Sequence, residues 1–166
     1  MFHPFHIVKL HKESPFPVSL LLLADESTEA IERYIYQCDV YVLVGDDYQP
    51  VGVAALHRNS PEELEVKNIA VAGAYQGKGL GSFMLSVIER IAADEGCCRI
   101  LVGTATVGRQ LDFYRKNGFL TCGLRRNFFL ENYPDPIFEG GERLCDMVLL
   151  EKKIQEVDGG GNGVIF

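Results

Sequence analysis

The stretch Gln76-Gly77-Lys78-Gly79-Leu80-Gly81 decides the fold of this chain, because it joins a strand to a helix. Residues 64–71 before it carry the β-branched side chains of a strand, and residues 82–94 after it place apolar side chains at helical spacing. Three glycines at alternate positions let the backbone approach a ligand closely. The N–H groups of a helix's first turn are unpaired and lie at the positive end of its dipole. The stretch therefore predicts a site for an anion such as a pyrophosphate.

Two better-known glycine-rich loops do not fit these residues. The dinucleotide fingerprint G-x-G-x-x-G follows the first strand of its fold, whereas here the third glycine comes one residue early and the loop follows the fourth predicted strand. The phosphate-binding loop G-x-x-x-x-G-K-[ST] needs one more residue between Gly73 and Lys78, and Gly79 stands where that loop has a hydroxyl. A tight turn that packs a helix on a strand is the structural alternative for the glycines.

The rest of the chain alternates short strands and helices, which is typical of a mixed α/β fold. Strands are predicted at 6–10, 39–44, 51–57, 64–71, 99–104, 119–124 and 143–150, and helices at 16–24, 28–37, 82–94 and 109–116. No linker interrupts the pattern, so we expect one domain over residues 1–155. The glycine-rich residues 156–166 are expected to form a flexible tail.

Composition narrows the classes of function. The chain has 166 residues and a formal net charge of −7. It lacks the Lys/Arg run that a nucleic-acid binder requires, and its acidic balance favours cationic partners such as amines. Its five cysteines include no CxxC pair, which predicts reduced thiols and no metal site.

The N-terminus and the longest apolar run predict a cytoplasmic protein without a membrane partner. Residues 1–15 lack the basic and continuously apolar regions of a signal peptide. The apolar run at 18–24 is too short to span a bilayer.

The glycine-rich stretch and its surroundings resemble the GNAT superfamily of acetyltransferases. Gln76-x-x-Gly79-x-Gly81 matches every defined position of the family signature [Q/R]-x-x-G-x-[G/A]. Downstream, Tyr114-x-x-x-Gly118-Phe119 is similar to the family's second motif, Y-x-x-x-G-F. The resemblance covers roughly residues 40 to 125, and residues 132–147 resemble a small bacterial subgroup of undefined substrate.

This resemblance implies a GNAT fold: a central, mostly antiparallel, splayed sheet of six to seven strands flanked by about four helices. It implies an enzyme that transfers acetyl from acetyl-CoA to a primary amine, by direct attack in a ternary complex, without a metal. The acceptor would be a small-molecule amine or a peptide amine.

The resemblance also assigns binding roles to residues of this sequence. Backbone groups of Ile69, Ala70 and Val71 would pair with the pantetheine arm of coenzyme A as if it were an added strand. Gln76 begins the loop, and Lys78 would screen phosphate charge. The pyrophosphate would lie on the N–H groups of Gly77, Lys78, Gly79, Leu80, Gly81 and Ser82.

Two side chains are the expected catalytic groups. Tyr114 matches the family's general acid, since a phenol with a pKa of about 10 keeps its proton at pH 7 and can pass it to a departing thiolate. Glu65, five residues before Ala70, stands where several members keep a base that takes the proton of the incoming ammonium. Glu63 shares its face of the strand. The alternatives are a packed aromatic for Tyr114 and a solvated carboxylate for Glu65.

One position departs from the family. Val107 stands where many members have an asparagine seven residues before the tyrosine, so a side-chain contact with the cofactor is lost. Four aromatic residues near the C-terminus are interpreted as core or as a homodimer contact in preference to a substrate cage. They are Phe128, Phe129, Tyr133 and Phe138.

Two other functions remain open at this point. A non-catalytic CoA-binding sensor could use the same fold, although it would need no proton donor at Tyr114. A protein or peptide N-acetyltransferase would differ from a small-molecule enzyme only in its acceptor, and the sequence does not choose between them.

Overall fold

The computed structural model describes residues 4–154, so the predicted tail and both ends of the predicted domain lie outside the described residues. The strands are β1 His6–Lys9, β2 Asp39–Val44, β3 Pro50–Ser60, β4 Glu63–Val71, β5 Arg99–Ala105, β6 Leu120–Arg125, β7 Phe138–Glu139, β8 Glu142–Arg143 and β9 Met147–Lys153. The helices are α1 Val18–Leu21, α2 Thr28–Glu32, α3 Leu80–Asp94, α4 Arg109–Lys116 and α5 Phe128–Asn132, with 3₁₀ turns at Ile35–Gln37 and Gly73–Tyr75.

Seven strands form one sheet in the order β1-β2-β3-β4-β5-β9-β6. Neighbouring strands are antiparallel except for β4 and β5, which are parallel. A parallel pair needs a crossover, and here the crossover is the glycine-rich loop followed by α3. The predicted mixed, mostly antiparallel sheet is confirmed, with a fifth helix, α5, that the sequence pattern did not indicate.

Two apolar cores cover the two faces of the sheet. On one face α3 packs through side chains that include Met84 and Ile88, both at most 1% exposed. On the other face Leu21, Ile31 and Ile35, from the segment that carries α1 and α2, pack against β2, β3 and β4. Ser27 begins α2 as its N-cap, because its hydroxyl accepts the Ala30 N–H at 3.1 Å.

The sheet opens between β4 and β5. The two strands pair only from Glu63 to Val66, opposite Arg99 to Val102. Just after Val66 the pairing of β4 with β3 skips one residue: Val66 lies opposite Leu56, and Asn68 lies opposite Ala55. Lys67 is therefore an extra residue in β4. Such a bulge bends a strand and increases its twist. Beyond Lys67, β4 leaves β5, and the predicted splay of the sheet is found.

Several predicted element bounds differ from the structure. The helix predicted at 16–24 is only the four residues of α1, followed by turns, and the one predicted at 28–37 divides into α2 and a 3₁₀ turn. The last strand is 147–153 and not 143–150, because Arg143 pairs with Phe138 in the hairpin β7–β8. Gly140 and Gly141, both with positive φ, make the two-residue turn of that hairpin.

None of the helices within residues 4–154 is long and apolar enough to cross a membrane.

The start of α3 depends on a backbone conformation that only glycine adopts without strain. Gly79 is its N-cap with a φ of 80°, whereas Gly73, six residues earlier, has an ordinary φ and open space at its Cβ position. We expect Gly79→Ala to lower the free energy of unfolding by about 1–2 kcal/mol. Gly73→Ala should leave it unchanged or raise it by about 0.4–1 kcal/mol. Urea unfolding of both variants measures this, and equal losses would contradict the assigned conformation.

Candidate functional site

The N-terminus of α3 offers backbone donors in an open cleft. Its first internal hydrogen bond runs from Phe83 N–H to Gly79 C=O at 3.0 Å, so the N–H groups of residues 80–82 have no partner within the helix. No side chain caps them. The positive φ of Gly77 and Gly79 turns the chain into the helix at this point. Unpaired donors at the positive end of a fifteen-residue helix suit a phosphate group.

This cleft has a volume of about 440 Å³ and lies between β4, the glycine-rich loop and α4. We call it the cofactor cleft, after the predicted cofactor-binding residues that line it. It brings together nearly all of the predicted cofactor-binding residues with the predicted acid: Ile69, Ala70, Val71, Gln76, Gly77, Gly79, Leu80, Gly81, Ser82 and Tyr114. Lys78 does not line it, and its ammonium lies 5.6 Å from the centre of the Tyr75 ring.

The open edge of β4 supplies further backbone groups. Ala72 N–H donates to Val51 C=O at 2.8 Å, and Gly52 lies opposite Val71. Because hydrogen-bonded and non-hydrogen-bonded pairs alternate in an antiparallel ladder, the polar groups of Ile69 and Val71 face away from β3 and toward the cleft. Those of Ala70 face β3. The Gln76 amide donates to the Val71 carbonyl at 2.8 Å. The Val71 N–H and the N–H and C=O groups of Ile69 are left for a ligand.

The motif Tyr114-x-x-x-Gly118-Phe119 is a helix stop. Gly118 N–H donates to Arg115 C=O and Phe119 N–H donates to Tyr114 C=O, both at 3.0 Å, while Gly118 has a φ of 90°. These two bonds define a Schellman motif, which also expects an apolar contact between the first and last of the motif's residues. The Tyr114 and Phe119 rings make that contact edge-on, with centroids 5.6 Å apart.

The stop motif accounts for the ring of Tyr114 but not for its hydroxyl. Tyr114 is only 5% exposed, yet it lines the cofactor cleft. Burial raises the pKa of its phenol above the ordinary value, so the group stays protonated at neutral pH. Gly81 has a packing role as well, because a Cβ there would lie 3.1 Å from the Phe113 ring on α4. The structural interpretation of this region therefore holds, and the functional interpretation stays a prediction.

A second cavity of about 440 Å³ lies on the α1–α2 side of the gap between β4 and β5. The β-strand residues Glu65 and Lys67 line it, together with segments 23–34 and 125–147. Leu23, Ala24 and Gln110 line both this cavity and the cofactor cleft, so the two spaces meet beside the gap. We call the second space the acceptor cavity.

The predicted base lies in the acceptor cavity, apart from Tyr114. Glu65 is 7% exposed; one of its oxygens accepts the Asn59 amide at 2.8 Å and the other pairs with the Lys67 ammonium at 3.0 Å. Glu63 does not line the cavity. Burial acts to raise the pKa of Glu63, but hydrogen bonds from Arg99 and Asn59 outweigh it and hold that pKa below its ordinary value.

Sequence reasoning missed a polar network in the same cavity. The Tyr34 hydroxyl donates to Asp25 Oδ2 at 3.1 Å, and the Tyr133 hydroxyl donates to Asp25 Oδ1 at 2.6 Å. The Asn68 amide donates to the Tyr34 oxygen at 3.0 Å and to the Leu21 carbonyl at 2.9 Å. Asp25 and Tyr133 are 108 residues apart, so no local pattern could have paired them.

The phenols of this network remain neutral donors. Burial, followed by the hydrogen bond to Asp25 and its charge, raises the pKa of Tyr133. Burial also raises the pKa of Tyr34; the hydrogen bond from Asn68 opposes that rise and the charge of Asp25 adds to it. The four C-terminal aromatics that were interpreted as core or dimer contact line this cavity. None of them is fully buried.

Among residues 4–154, no group of three or more His, Cys, Asp or Glu side chains is arranged to hold a metal ion.

Comparison with known proteins assigns the family. The profile of the Acetyltransferase (GNAT) family matches residues 7–119. The uncharacterized N-acetyltransferase YvbK of Bacillus subtilis is 37% identical over 133 residues, which are 79% of this chain and 84% of that protein.

Two solved structures have the same architecture. A GNAT family acetyltransferase from Elizabethkingia anophelis with acetyl-CoA bound is 34% identical with a TM-score of 0.86, over 90% of this chain and 98% of that one. A Bacillus subtilis acetyltransferase in complex with CoA is 31% identical with a TM-score of 0.82, over 91% of this chain and 99% of that one. A profile that spans more than half of the chain and a relative of this identity and coverage agree, and the protein is a member of the GNAT family of N-acetyltransferases.

Proposed function

We propose that this enzyme binds acetyl-CoA in the cofactor cleft and transfers the acetyl group to a primary amine held in the acceptor cavity. The cleft fits the cofactor in two respects. The free N–H groups of residues 80–82 suit a pyrophosphate, and the open backbone of Ile69 and Val71 suits the amide-bearing pantetheine arm. Two relatives with more than 30% identity hold acetyl-CoA or CoA.

The proposed reaction is a direct attack across the gap between β4 and β5. The amine nitrogen bonds to the thioester carbonyl carbon, and the carbon–sulfur bond then breaks. Glu65 takes the ammonium proton, directly or through a water, before the attack. Its position in the acceptor cavity, on the amine side of the gap, supports this role. Before the substrate binds, the Lys67 ammonium compensates the charge of the Glu65 carboxylate from a distance of 3.0 Å.

Tyr114 gives its phenolic proton to the departing sulfur. The second proton of the amine nitrogen, lost as the amide forms, restores the phenol, and the proton on Glu65 leaves to solvent. Burial disfavours a thiolate in the cleft as it disfavours a phenolate, so the raised pKa of the Tyr114 phenol does not by itself make this proton transfer more uphill. The observation that carries this proposal is the Tyr114 hydroxyl itself. The ring completes the helix stop, which a phenylalanine would do equally well, and Tyr114 also lines the cofactor cleft. A CoA sensor would have no use for the hydroxyl.

We also propose a cytoplasmic location. All five cysteines are free thiols, as expected for a reducing compartment.

Acetyl-CoA is expected to stabilise the folded protein. A ligand at about 100 times its dissociation constant adds about 2.7 kcal/mol, which corresponds to roughly 5–10 °C in melting temperature for a protein of this size. Thermal melting with acetyl-CoA and with CoA measures the effect, and NADH and ATP are the controls for the two rejected loops. An unchanged melting temperature at millimolar acetyl-CoA would contradict the assignment of the cleft.

Tyr114→Phe is expected to lower kcat by about 10²- to 10⁴-fold, because it removes the proton donor and leaves the ring. The affinity for CoA and the melting temperature should remain near wild type, since the contact with Phe119 persists. Tyr41→Phe is the matched control, because Tyr41 is a half-buried phenol that lines neither cavity. A loss of less than about fivefold would make Tyr114 a packing residue.

The pH dependence of kcat provides a second readout for Tyr114. A general acid works while it is protonated, so the rate falls as the pH rises through its pKa. Because burial raises that pKa above the ordinary value of about 10, this fall should begin only above about pH 10. A decline centred well below pH 10 that disappears in Tyr114→Phe would contradict the buried setting of the phenol.

Glu65→Gln is expected to lower kcat at pH 7 by at least about tenfold and to recover toward wild type near pH 10, where the amine arrives without its proton. Glu63→Gln, a change of the same charge on the same strand outside the cavity, should have little effect on kcat. Steady-state kinetics from pH 7 to 10 test this. If the ratio of kcat for Glu65→Gln to kcat for wild type stays constant over that range, Glu65 is not the base.

A further inference from the structure

The acceptor cavity is closed on the side where its two outer walls meet. One wall is the α1–α2 segment and the other is α5 with Tyr133. The Tyr133 hydroxyl bonds to Asp25 at 2.6 Å, and the Arg33 guanidinium donates to the Asn132 carbonyl at 2.8 Å. A peptide acceptor extends about 3.3 Å per residue and needs an open groove to leave the site. The bridged walls and a volume of about 440 Å³ instead suit a compact molecule.

One half-buried carboxylate of the cavity, Asp25, has no cation paired with it in the described part of the chain. Its exposed charged side chains are Glu26, Arg33, Arg125 and Glu139, all open to solvent. Of the others, Glu65 and Lys67 compensate each other at 3.0 Å. Asp25 is half-buried, and within residues 4–154 it takes part in none of the ion pairs. A half-buried negative charge whose hydrogen-bond partners are two neutral phenols and the Glu26 N–H favours a cationic ligand.

Asp25 is also held in place to receive such a ligand. Its Oδ2 accepts the Tyr34 hydroxyl, and its Oδ1 accepts both the Tyr133 hydroxyl and the Glu26 N–H, the latter at 2.7 Å. A carboxylate has about four acceptor positions, so one position, on Oδ2, remains for a ligand. It directly follows Leu23 and Ala24, which line both cavities beside the gap. Aromatic faces complete its surroundings, and Phe129 and Tyr133 are stacked with centroids 5.9 Å apart.

We propose that Asp25 binds the amino group of the acceptor, and that the acceptor is a compact primary amine with an aromatic or apolar body. The inference rests on the proposed function, and it selects the small molecule over the peptide. Asp25 is distinct in role from Glu65: it holds the ammonium before the reaction and sets affinity, whereas Glu65 takes the proton and sets the rate. Tyr34 and Tyr133 are positioning residues that act through Asp25.

The first arm of the test compares acceptors on the wild-type enzyme. Thiol release from acetyl-CoA is measured with phenethylamine, tyramine, spermidine and a hexapeptide with a free N-terminus. We expect the aryl amines to have the highest kcat/KM. In addition, phenethylamine should bind the CoA-loaded protein at least tenfold more tightly than 2-phenylethanol, its neutral counterpart of similar shape, because a hydrogen bond to a charged partner is worth about tenfold or more.

The second arm uses variants. Asp25→Asn should raise KM for the best amine by roughly 10- to 100-fold and leave the affinity for CoA within about twofold. Glu32→Gln, an exposed change of the same charge on α2 outside both cavities, should leave KM unchanged. Tyr133→Phe keeps the carboxylate and removes one of its supports, so its rise in KM should be smaller than that of Asp25→Asn.

The outcomes separate this inference from the proposed function. A higher kcat/KM for the hexapeptide than for every small amine overturns the inference and leaves acetyl transfer intact. So does a KM for Asp25→Asn that stays within about threefold of that of Glu32→Gln. If Asp25→Asn does not fold, equal binding of phenethylamine and 2-phenylethanol by the wild type overturns it. Absence of thiol release with every acceptor overturns the proposed function and the inference with it.

Discussion

The separation of β4 from β5 after Val66 is the constraint on which the rest of the site depends. A continuous parallel ladder would consume the backbone groups of Ile69 and Val71 and would bring the two strands within about 5 Å of each other. The extra residue at Lys67 ends that ladder, so the sheet has an internal edge. Such edges ordinarily invite pairing with another chain, but here α3 and α4 cover one side and the α1–α2 segment the other. What remains open is wide enough for a ligand and joins two cavities.

The two sequence motifs occupy the two helix ends that face this opening. The glycine-rich stretch begins α3, and the motif ending in Gly118-Phe119 finishes α4. The spacing of each motif therefore follows from the geometry of a helix end, independently of any catalytic role. A left-handed residue must begin or end the helix, and an apolar contact must follow the stop. The proposed chemistry uses the groups that these structural roles leave unpaired: the N–H groups at the start of α3 and the hydroxyl of Tyr114.

This explains how much the sequence could predict. Signals that lie within a few residues of each other, such as the stretch from Gln76 to Gly81, predicted which residues line this cleft and where the helices around it lie. The Gly140-Gly141 pair was an equally local signal for a two-residue hairpin turn, and overlooking it displaced the predicted last strand. Asp25 could not be found in this way, since its partners are Tyr34 and the distant Tyr133, and only the folded chain brings them together.

The two cavities are lined by largely different parts of the chain. Apart from Leu23 and Ala24, the cofactor cleft is built from one continuous portion, residues 69–116. The acceptor cavity takes much of its wall from residues 125–147, and none of those lines the cofactor cleft. Under the proposed assignment of the two cavities, substitutions or changes of length there would alter which molecule is acetylated and leave the residues around the acetyl donor unchanged. This division makes the C-terminal segment the natural place for diversification among descendants of a common ancestor, and the first place to redesign when a new acceptor is wanted.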